Sequence, residues 1–229
     1  MKIALFGANG QTGRLATGLA LERGHEVLAV TRRPQEFPLN GPGLTVVGAD
    51  VRDGNAVRPV VAAADAVVST LGVTFTKEQV DTYSVGTANV VAAMQATGKH
   101  RLVVVSSTAA YPTRRSGSPL TLRLVEPIIT RTIGKTVYDD IRRMEDVVRG
   151  SGLDWTIVRP SGLFDLPNTT DYVRGDVDPV GAFTARVDLA DYLVSLAADS
   201  ATGRQTVIVS TTEDTPSLWQ MIRREAAAS

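Results

Sequence analysis

Residues 2–14 read KIALFGANGQTGR, a short apolar run that leads into Gly7, Gly10 and Gly13 at intervals of three. In the residues that follow, apolar side chains recur every three or four positions, so a strand, a tight turn and a helix are predicted in that order. In such a turn the first glycine permits the bend, the second lets a ligand approach the backbone, and the third lets the helix pack close to the strand. Because helix N-termini carry free N–H groups, we expect this turn to bind a diphosphate.

A glycine triplet by itself is a weak signal, because glycine also marks ordinary turns. Here it stands between a predicted strand and a predicted helix, with a second strand soon after, which is the context that dinucleotide binding requires. A purely structural glycine-rich turn is the alternative interpretation. The residues expected to bind the diphosphate are Gly7, Asn9, Gly10, Gln11, Thr12 and Gly13.

The rest of the chain alternates short runs rich in Val and Ile with segments of helical period, the pattern of βαβ units around a parallel sheet. The run LVVV at residues 102–105 is apolar on both faces, as burial between two layers of helices requires. We therefore predict an α/β fold, a doubly wound parallel sheet in one domain spanning residues 1–229. Strands are predicted at residues 2–6, 26–31, 44–49, 66–70, 101–106, 154–159 and 205–210. Helices are predicted at residues 11–23, 56–63, 80–97, 138–150, 188–198 and 217–226.

Two stretches depart from this alternation. Residues 111–119 are rich in Pro, Ser, Gly and Arg and are predicted to form an exposed loop. Residues 163–186 have Gly, Pro, Asp and Thr scattered through two weak strand-like runs, and they are predicted to form an inserted hairpin or lid on the substrate side. No firm domain boundary follows from either stretch.

The composition excludes several classes of partner and site. Lysine and arginine number 24, as do aspartate and glutamate, so the chain has no net charge with which to attract nucleic acid or an anionic membrane. Cysteine is absent, which excludes disulfides and cysteine nucleophiles and favours the cytoplasm. The apolar run before Gly7 is too short for a signal peptide or a membrane span. We expect neither nucleic acid nor a membrane as a partner.

Two pairs of carboxylates, Asp139-Asp140 and Glu145-Asp146, fall on the helix predicted at residues 138–150. They have no histidine companions, which a transition-metal site would favour. We therefore expect a solvated helix face there and no metal site.

The end of the second predicted strand decides between nucleotides, since an acidic residue there binds a ribose 2′-hydroxyl and a basic residue binds a 2′-phosphate. The chain offers Thr31, Arg32 and Arg33 at this point, with no carboxylate. A guanidinium can bind a phosphate through two parallel hydrogen bonds, so NADP is favoured over NAD. The alternative is that both arginines are solvated surface charges.

Further contacts are predicted from topology alone, because the carboxyl ends of parallel strands line one crevice. Asp50 and Val51, after the third strand, are expected to flank the adenine. Thr70, Leu71 and Gly72, after the fourth strand, are expected to pass under the ribose.

Four further motifs accompany the glycine loop at residues 7–14: VGTANVV at 85–91, VSS at 105–107, GLDWTIVRP at 152–160 and RVDLA at 186–190. With these motifs the chain resembles the atypical short-chain dehydrogenase/reductase superfamily, in particular the small NAD(P)H-binding proteins that include NmrA-like sensors and biliverdin/flavin reductase B-like enzymes. The resemblance covers nearly the whole chain and implies an NAD(P)-binding Rossmann fold. By this similarity Ser106 and Ser107 border the nicotinamide, Pro160 lies in a turn over its far side, and residues 163–186 close over the substrate.

Dehydrogenases of this superfamily carry a Tyr-x-x-x-Lys pair on the helix before the sixth strand, and this chain departs from that pattern. The nearest match is Tyr138 with Arg142. Counting back from Glu145 places the family's two positions on Val137 and Ile141 instead. One residue turns a helix by about 100°. The pair Tyr138 and Arg142 therefore cannot face the nicotinamide if the pair Val137 and Ile141 does.

The apolar stripe of this helix consists of Val137, Ile141, Met144 and Val148. If it faces the sheet or the nicotinamide, Tyr138 and Arg142 lie toward the helix edge. A tyrosine with its ordinary pKa of about 10 acts as an acid or base at neutral pH only when a nearby cation stabilises the tyrosinate. Arg142 could supply that charge but cannot release its proton to a relay. Tyr138 is therefore either a catalytic residue or an exposed aromatic.

Two classes of function follow from the resemblance. The first is an NADPH-dependent reductase of a quinone, flavin or similar flat acceptor, with Ser107 as an orienting donor and the proton taken from solvent. Such chemistry needs positioning more than it needs an acid. The second is a non-catalytic NADPH sensor that changes a partner interaction with the redox state of the cofactor. We expect a small-molecule acceptor as the partner of a cytoplasmic monomer or homodimer that uses NADP, with NAD as the alternative cofactor.

Overall fold

The computed structural model describes residues 1–111, 132, 134–199 and 203–216. Within these residues the chain forms an eight-stranded sheet and a separate pair of short strands. The strands are β1 (Lys2–Phe6), β2 (Glu26–Thr31), β3 (Leu44–Gly48), β4 (Ala66–Ser69), β5 (Arg101–Val105), β6 (Asp154–Pro160), β7 (Gly162–Phe164), β8 (Val173–Gly175), β9 (Phe183–Ala185) and β10 (Gln205–Ser210). The helices are α1 (Gln11–Glu22), α2 (Gly54–Ala62), α3 (Thr82–Thr97), α4 (Lys135–Gly150) and α5 (Arg186–Ala198). Short 3-10 turns lie at Pro34–Glu36 and Thr108–Ala110.

The large sheet has the strand order β3-β2-β1-β4-β5-β6-β10-β8. Its neighbouring strands are parallel, except that β8 runs antiparallel to β10. The chain proceeds from β1 through β2 to β3 at one edge and then returns to the other side of β1 at β4. Such a reversal opens a crevice at the carboxyl ends of the strands, where α/β proteins bind their ligands. The predicted doubly wound parallel sheet is confirmed.

Helices cover both faces of the sheet, and alternate residues of β1 contribute to two separate cores. Ala4 and Phe6 pack with α2, α3 and α4, whereas Ile3 and Leu5 pack with α1 and α5. Full burial of an Ile, Leu or Phe side chain stabilises a fold by about 1.5–3 kcal/mol. Because both faces are covered in this way, the central strands are apolar on both sides, as their sequences predicted.

The predicted elements agree closely with the observed ones. The strands β1, β2 and β10 begin and end at the predicted residues, and the other predicted strands differ at one end only. The predicted helix at residues 217–226 and nearly all of the predicted loop at residues 111–119 lie outside the described residues. Within the described residues, every helix is too short or too polar to cross a bilayer.

The segment of residues 163–186 is not a hairpin, so that part of the prediction is wrong. The strands at its two ends, β7 and β9, pair with each other in parallel, and β8 between them joins the large sheet beside β10. The weak strand-like runs thus find different partners, because β10 offers an open edge with unpaired backbone groups. Thr170 also binds the Asp188 carboxylate through its amide and its hydroxyl, both at 2.8 Å, which ties the segment to α5.

The expectation of a solvated carboxylate face on α4 is wrong for Asp140 and Glu145, which are both fully buried. Asp140 accepts hydrogen bonds from the amides of Tyr83 at 2.8 Å and Ser84 at 3.4 Å, and it thereby caps the N-terminus of α3. Both carboxylates lie at the margins of the apolar stripe, where neighbouring elements decide whether a side chain is exposed. Across the described ranges, no group of three or more acidic or histidine side chains could hold a metal ion.

Candidate functional site

Two glycines allow the loop after β1 to pack against its neighbours. Gly7 has a φ of +79°, a conformation that favours glycine, and a Cβ there would lie 2.7 Å from the carbonyl oxygen of Thr70. A Cβ at Gly13 would lie 2.3 Å from the carbonyl oxygen of Gly7. Any side chain at either position would therefore force β1, α1 and the loop after β4 apart.

Gly10 differs from the other two glycines, because a Cβ there would make one close contact and no severe clash. Its φ of −71° suits any residue, and a Cβ there would meet only the Gly7 carbonyl oxygen, at 3.3 Å. Arg14 is the first residue of α1 whose amide donates to a backbone carbonyl, that of Gly10 at 2.9 Å. The preceding amides of Gln11 and Thr12 bind no group in the described residues, as is usual at a helix start. This open cradle of free N–H groups fits a diphosphate.

The side chains of Asn9 and Arg14 meet on the exposed side of this cradle. Oδ1 of Asn9 accepts hydrogen bonds from Nε and Nη2 of Arg14 at 3.1 and 2.9 Å. The guanidinium adds to the positive potential of the helix N-terminus. Sequence reasoning included Asn9 in the site but gave Arg14 no role, although a basic residue directly after the third glycine was the available signal.

The two arginines after β2 are both exposed but differ in their contacts. Nη1 of Arg33 forms an ion pair with Oε2 of Glu36 at 3.0 Å, and the Arg33 amide donates to the hydroxyl of Thr31 at 3.2 Å. The guanidinium of Arg32 has no partner among the residues that the structure describes. Arg32 is therefore the member of the pair that is available to an anionic ligand.

Asp50 and Val51 form a turn after β3 that α3 holds in place. The Asp50 carboxylate accepts a hydrogen bond from the Arg52 amide at 2.9 Å. The Asn89 side chain donates to the carbonyl oxygens of Val51 and Arg52 at 3.0 and 2.9 Å. Val51 is buried against Gly86, where a Cβ would lie 2.6 Å from the valine side chain. Asn89 and Gly86 thus support the turn that we expect to flank an adenine.

Thr70 joins the loop after β4 to the loop after β1. Its hydroxyl lies within hydrogen-bond distance of the carbonyl oxygens of Phe6, at 3.1 Å, and Gly7, at 3.2 Å, and donates its one proton between them. Leu71 packs toward α3, and a Cβ at Gly72 would meet nothing within 4 Å. These residues therefore border the crevice between β1 and β4, with open space in front of Gly72.

Ser106 is bound to a carboxylate that sequence reasoning did not place in the site. Its hydroxyl donates to Oε1 of Glu145 at 2.5 Å. Nε and Nη2 of Arg159 bind the two oxygens of the same carboxylate at 2.9 and 2.6 Å, and Arg149 binds Oε2 at 3.0 Å. Burial raises the pKa of Glu145, but the hydrogen bonds from Arg159 and Ser106 outweigh it and bring that pKa below its ordinary value. An ionised carboxylate therefore lies beside the carboxyl ends of β5 and β6.

In the sequence, Arg159 was the residue that could have indicated a buried carboxylate at this site. It stands in an otherwise apolar stretch of β6, its side chain is only 17 % exposed, and a buried guanidinium requires an acidic partner. The guanidinium carbon also lies 4.0 Å from the ring centre of Tyr111. The sequence contains many carboxylates, however, and only the packing of α4 on β6 selects Glu145.

Ser107 and Pro160 lie beside this network. The Ser107 hydroxyl oxygen accepts a hydrogen bond from the Ala109 amide at 3.2 Å, which begins the 3-10 turn after β5. The carbonyl oxygen of Pro160 accepts a hydrogen bond from the Thr108 hydroxyl at 3.2 Å. The ends of β5 and β6 are thereby joined, and among the described residues no group accepts the proton of the Ser107 hydroxyl.

Tyr138 and Arg142 are half-buried at the edge of α4, whereas the apolar stripe of that helix is buried. Arg142 donates to the carbonyl oxygen of Ala110 at 2.7 Å and also binds the carboxylate of Asp139. The ring centre of Tyr138 lies 5.8 Å from that of Phe75. The structure thus brings Arg142 to the segment after β5 and Tyr138 to the loop after β4.

Comparisons with known proteins agree with this geometry. A family model described as NAD(P)H-binding matches residues 7–200. An uncharacterised protein of Mycobacterium tuberculosis is 38% identical over 108 residues, which are 47% of this chain. The same stretch is 12% of that relative's own length, so this chain spans only a small part of it.

Two solved structures share the fold. An anaerobilin reductase from Escherichia coli O157:H7 has a TM-score of 0.74 at 23% identity, over 95% of this chain and 100% of that chain. A short-chain dehydrogenase/reductase from Veillonella parvula, solved in complex with NADP, has a TM-score of 0.76 at 20% identity, over 95% of this chain and 99% of that chain. At this level of identity the likeness concerns the fold alone.

Proposed function

We propose, from the premise that the chain belongs to the NAD(P)H-binding family, that it is an NADPH-dependent reductase of a small planar acceptor such as a quinone or a flavin. The observation that carries the proposal is the open cradle at Gly10 together with Arg32, whose guanidinium has no partner in the described part of the chain. Together they offer free amides for a diphosphate and a cation for a third phosphate. The named activity of the E. coli structural neighbour, a reductase, is of the same kind.

The preference for NADPH rests on the difference between the two arginines. Glu36 neutralises Arg33, so we assign the 2′-phosphate first to Arg32, with Arg33 as a secondary contact. The turn at Asp50 and Val51 is assigned to the adenine. The remaining assignments, to the diphosphate, the ribose and the nicotinamide, are Gly7, Asn9, Gly10, Gln11, Thr12, Gly13, Thr70, Leu71, Gly72, Ser106 and Pro160.

NADPH, when bound, supplies a hydride from its nicotinamide ring. The chain's own part in the reaction is to orient the acceptor, exclude water and provide a hydrogen-bond donor. Ser107 suits the last task, because the Ala109 amide occupies a lone pair of its hydroxyl and leaves the proton available. We assign Ser107 as the group that donates to the oxygen of the acceptor.

Tyr138 and Arg142 enter the proposal in different roles. The carboxylate of Asp139 compensates the charge of Arg142, so we do not assign Arg142 the stabilisation of a tyrosinate. Tyr138 contributes its ring, which with the 48 % exposed Phe75 presents an aromatic surface on which a flat acceptor can stack. The proton of the reaction then comes from solvent.

A second candidate function is a non-catalytic NADP(H) sensor that acts through a protein partner. Arg142 is bound to Ala110 and Asp139, so it is not assigned to stabilise a tyrosinate. This favours a sensor, because a sensor needs no catalytic acid or base. Whether the chain is a monomer or a homodimer, and whether it resides in the cytoplasm, stay predictions.

Steady-state oxidation of NADPH with a panel of quinones, flavins and tetrapyrroles separates the two candidates. A reductase gives turnover that depends on the acceptor, with saturation in both substrates. A sensor gives NADPH binding, measured by the fluorescence of the cofactor, without such turnover. Absence of both binding and turnover would remove both candidates.

A further inference from the structure

We infer that Ser106 and Ser107 act with opposite hydrogen-bonding polarity, Ser106 accepting from the carboxamide N–H of the nicotinamide and Ser107 donating to a carbonyl oxygen of the acceptor. Glu145 sets this polarity as a positioning residue. The inference deepens the proposed function and rests on it, because it takes both serines to border the nicotinamide.

The polarity of Ser106 follows from the single proton of its hydroxyl. That proton is donated to Oε1 of Glu145 at 2.5 Å, and the backbone amide of Ser106 is bound to the carbonyl oxygen of Val158 at 2.8 Å. The hydroxyl oxygen therefore has lone pairs left and no proton to give. Ser106 can only accept a hydrogen bond from a ligand.

Glu145 has to be ionised for this argument, and its surroundings ensure it. The carboxylate is fully buried, and Arg159 and Arg149 both bind it. A buried carboxylate held by guanidinium groups keeps its negative charge, and an ionised carboxylate can only accept hydrogen bonds. The shared bond therefore runs from Ser106 to Glu145 and not in the opposite direction.

Ser107 has the opposite hydrogen-bonding polarity to Ser106. Its oxygen accepts from the Ala109 amide at 3.2 Å, and no carboxylate binds its proton within the described residues. One of two consecutive hydroxyls at the end of β5 is thus an acceptor and the other is a donor.

The ligand chemistry that matches this pair is specific. The amide nitrogen of the carboxamide carries the only N–H groups of the nicotinamide ring, so it is the partner for Ser106. The donor at Ser107 requires an oxygen on the acceptor that gains negative charge as hydride arrives. Among the flat acceptors of the proposed function, this donor favours rings that bear a carbonyl group, as quinones and flavins do.

Glu145 could instead be only a structural brace between α4 and β6, and a cofactor analogue separates the two roles. In 3-acetylpyridine adenine dinucleotide phosphate, a methyl group replaces the carboxamide nitrogen. Binding of this analogue and of NADP⁺ can be measured by isothermal titration calorimetry on the full chain. Wild-type protein is expected to prefer NADP⁺ by about 3- to 10-fold, the value of one neutral hydrogen bond.

Ser106→Ala is expected to remove this preference by weakening NADP⁺ and leaving the analogue nearly unchanged. Ser107→Ala, the matched control, should keep the preference. Glu145→Gln should lower it, because the neutral amide can also donate to Ser106 and compete for its lone pairs. Thermal melts identify variants that do not fold, and Ser106→Ala decides the question if Glu145→Gln is among them.

A preference retained in full by Ser106→Ala, or an equal loss of both ligands in it, would overturn the inference while leaving the proposed function intact. A wild-type protein that binds NADP⁺ but does not distinguish the analogue would overturn it as well. Failure of wild-type protein to bind either ligand would instead overturn the proposed function, and the inference with it.

Discussion

Arg33 is paired with Glu36, with 3.0 Å between Nη1 and Oε2, and this pairing distinguishes Arg33 from its neighbour Arg32. Both side chains are exposed at the end of β2, yet within the described residues only Arg33 has its charge compensated. Sequence reasoning treated the two arginines alike. The structure ranks them, and the ranking can be tested.

Arg32→Ala is expected to weaken NADPH far more than NADH, by roughly 1.5–3 kcal/mol, because a charged hydrogen bond to the 2′-phosphate is lost. Arg33→Ala is the matched control and should cost less, since Glu36 already neutralises that side chain. Fluorescence titration of each variant with both cofactors measures the difference. Equal losses for NADPH and NADH would contradict the assignment.

Gly10→Val is expected to abolish the binding of both nucleotides while the fold survives. The φ of −71° at Gly10 suits valine, and the added side chain would occupy the space before the free amides of α1. Gly18→Ala on the same helix is the control, because a Cβ there meets nothing within 4 Å and should leave binding intact. Circular dichroism checks the fold and calorimetry checks the binding. Unchanged affinity in Gly10→Val would show the loop to be purely structural.

Glu145→Ala is expected to destabilise the protein by about 3–5 kcal/mol, because it leaves the guanidinium of Arg159 buried without its partner. Asp139→Ala, on the exposed side of the same helix, should cost less than about 1 kcal/mol even though it removes contacts to Lys135 and Arg142. Urea unfolding followed by circular dichroism gives both free energies. Similar losses in the two variants would mean that the buried network contributes no more than a surface ion pair.

The lowered pKa of Glu145 also implies a particular dependence of the protein's stability on pH. Its pKa in the folded protein lies below its ordinary value, so its contribution is complete above that ordinary value and is lost as the pH falls through the folded one. Wild-type protein should therefore exceed Glu145→Gln in melting temperature by the largest margin near neutral pH. The margin should shrink as the pH falls below the ordinary glutamate pKa of about 4.3, because the unfolded chain then takes up a proton that the folded carboxylate resists. A margin that stays constant or widens in acid would show that the ionised form is not the stabilising one.

Tyr138→Phe and Tyr138→Ala are expected to differ in their effect on turnover. If the ring stacks on the acceptor, Tyr138→Ala should raise KM for the acceptor much more than Tyr138→Phe does, because phenylalanine keeps the aromatic face. Steady-state kinetics with the best acceptor of the panel measures both variants. A loss of 100-fold or more in kcat for Tyr138→Phe, about the effect of removing a general acid, would show that the hydroxyl takes part in proton transfer.

The glycine loop after β1 and the strands were predictable because their signals are local. Glycines spaced by three between an apolar run and a helical pattern specify a turn that only one arrangement of β1 and α1 satisfies. The segment of residues 163–186 was not predictable in the same way. Its runs of three residues carry too little pattern to choose a partner, and an open edge on β10 decided the pairing of β8.

The amino-acid sequence by itself determined the parallel sheet, the glycine loop after β1 and the presence of arginines after β2, since each is signalled by residues near one another in the chain. Only the tertiary structure decided which charges are buried and which are free. Glu145 meets Ser106 across 39 positions of sequence and Arg159 across 14. A carboxylate at the margin of an apolar stripe can face water or a guanidinium with the same local sequence. The elements packed against it make the choice, because burial without a compensating partner would cost more than the fold can supply.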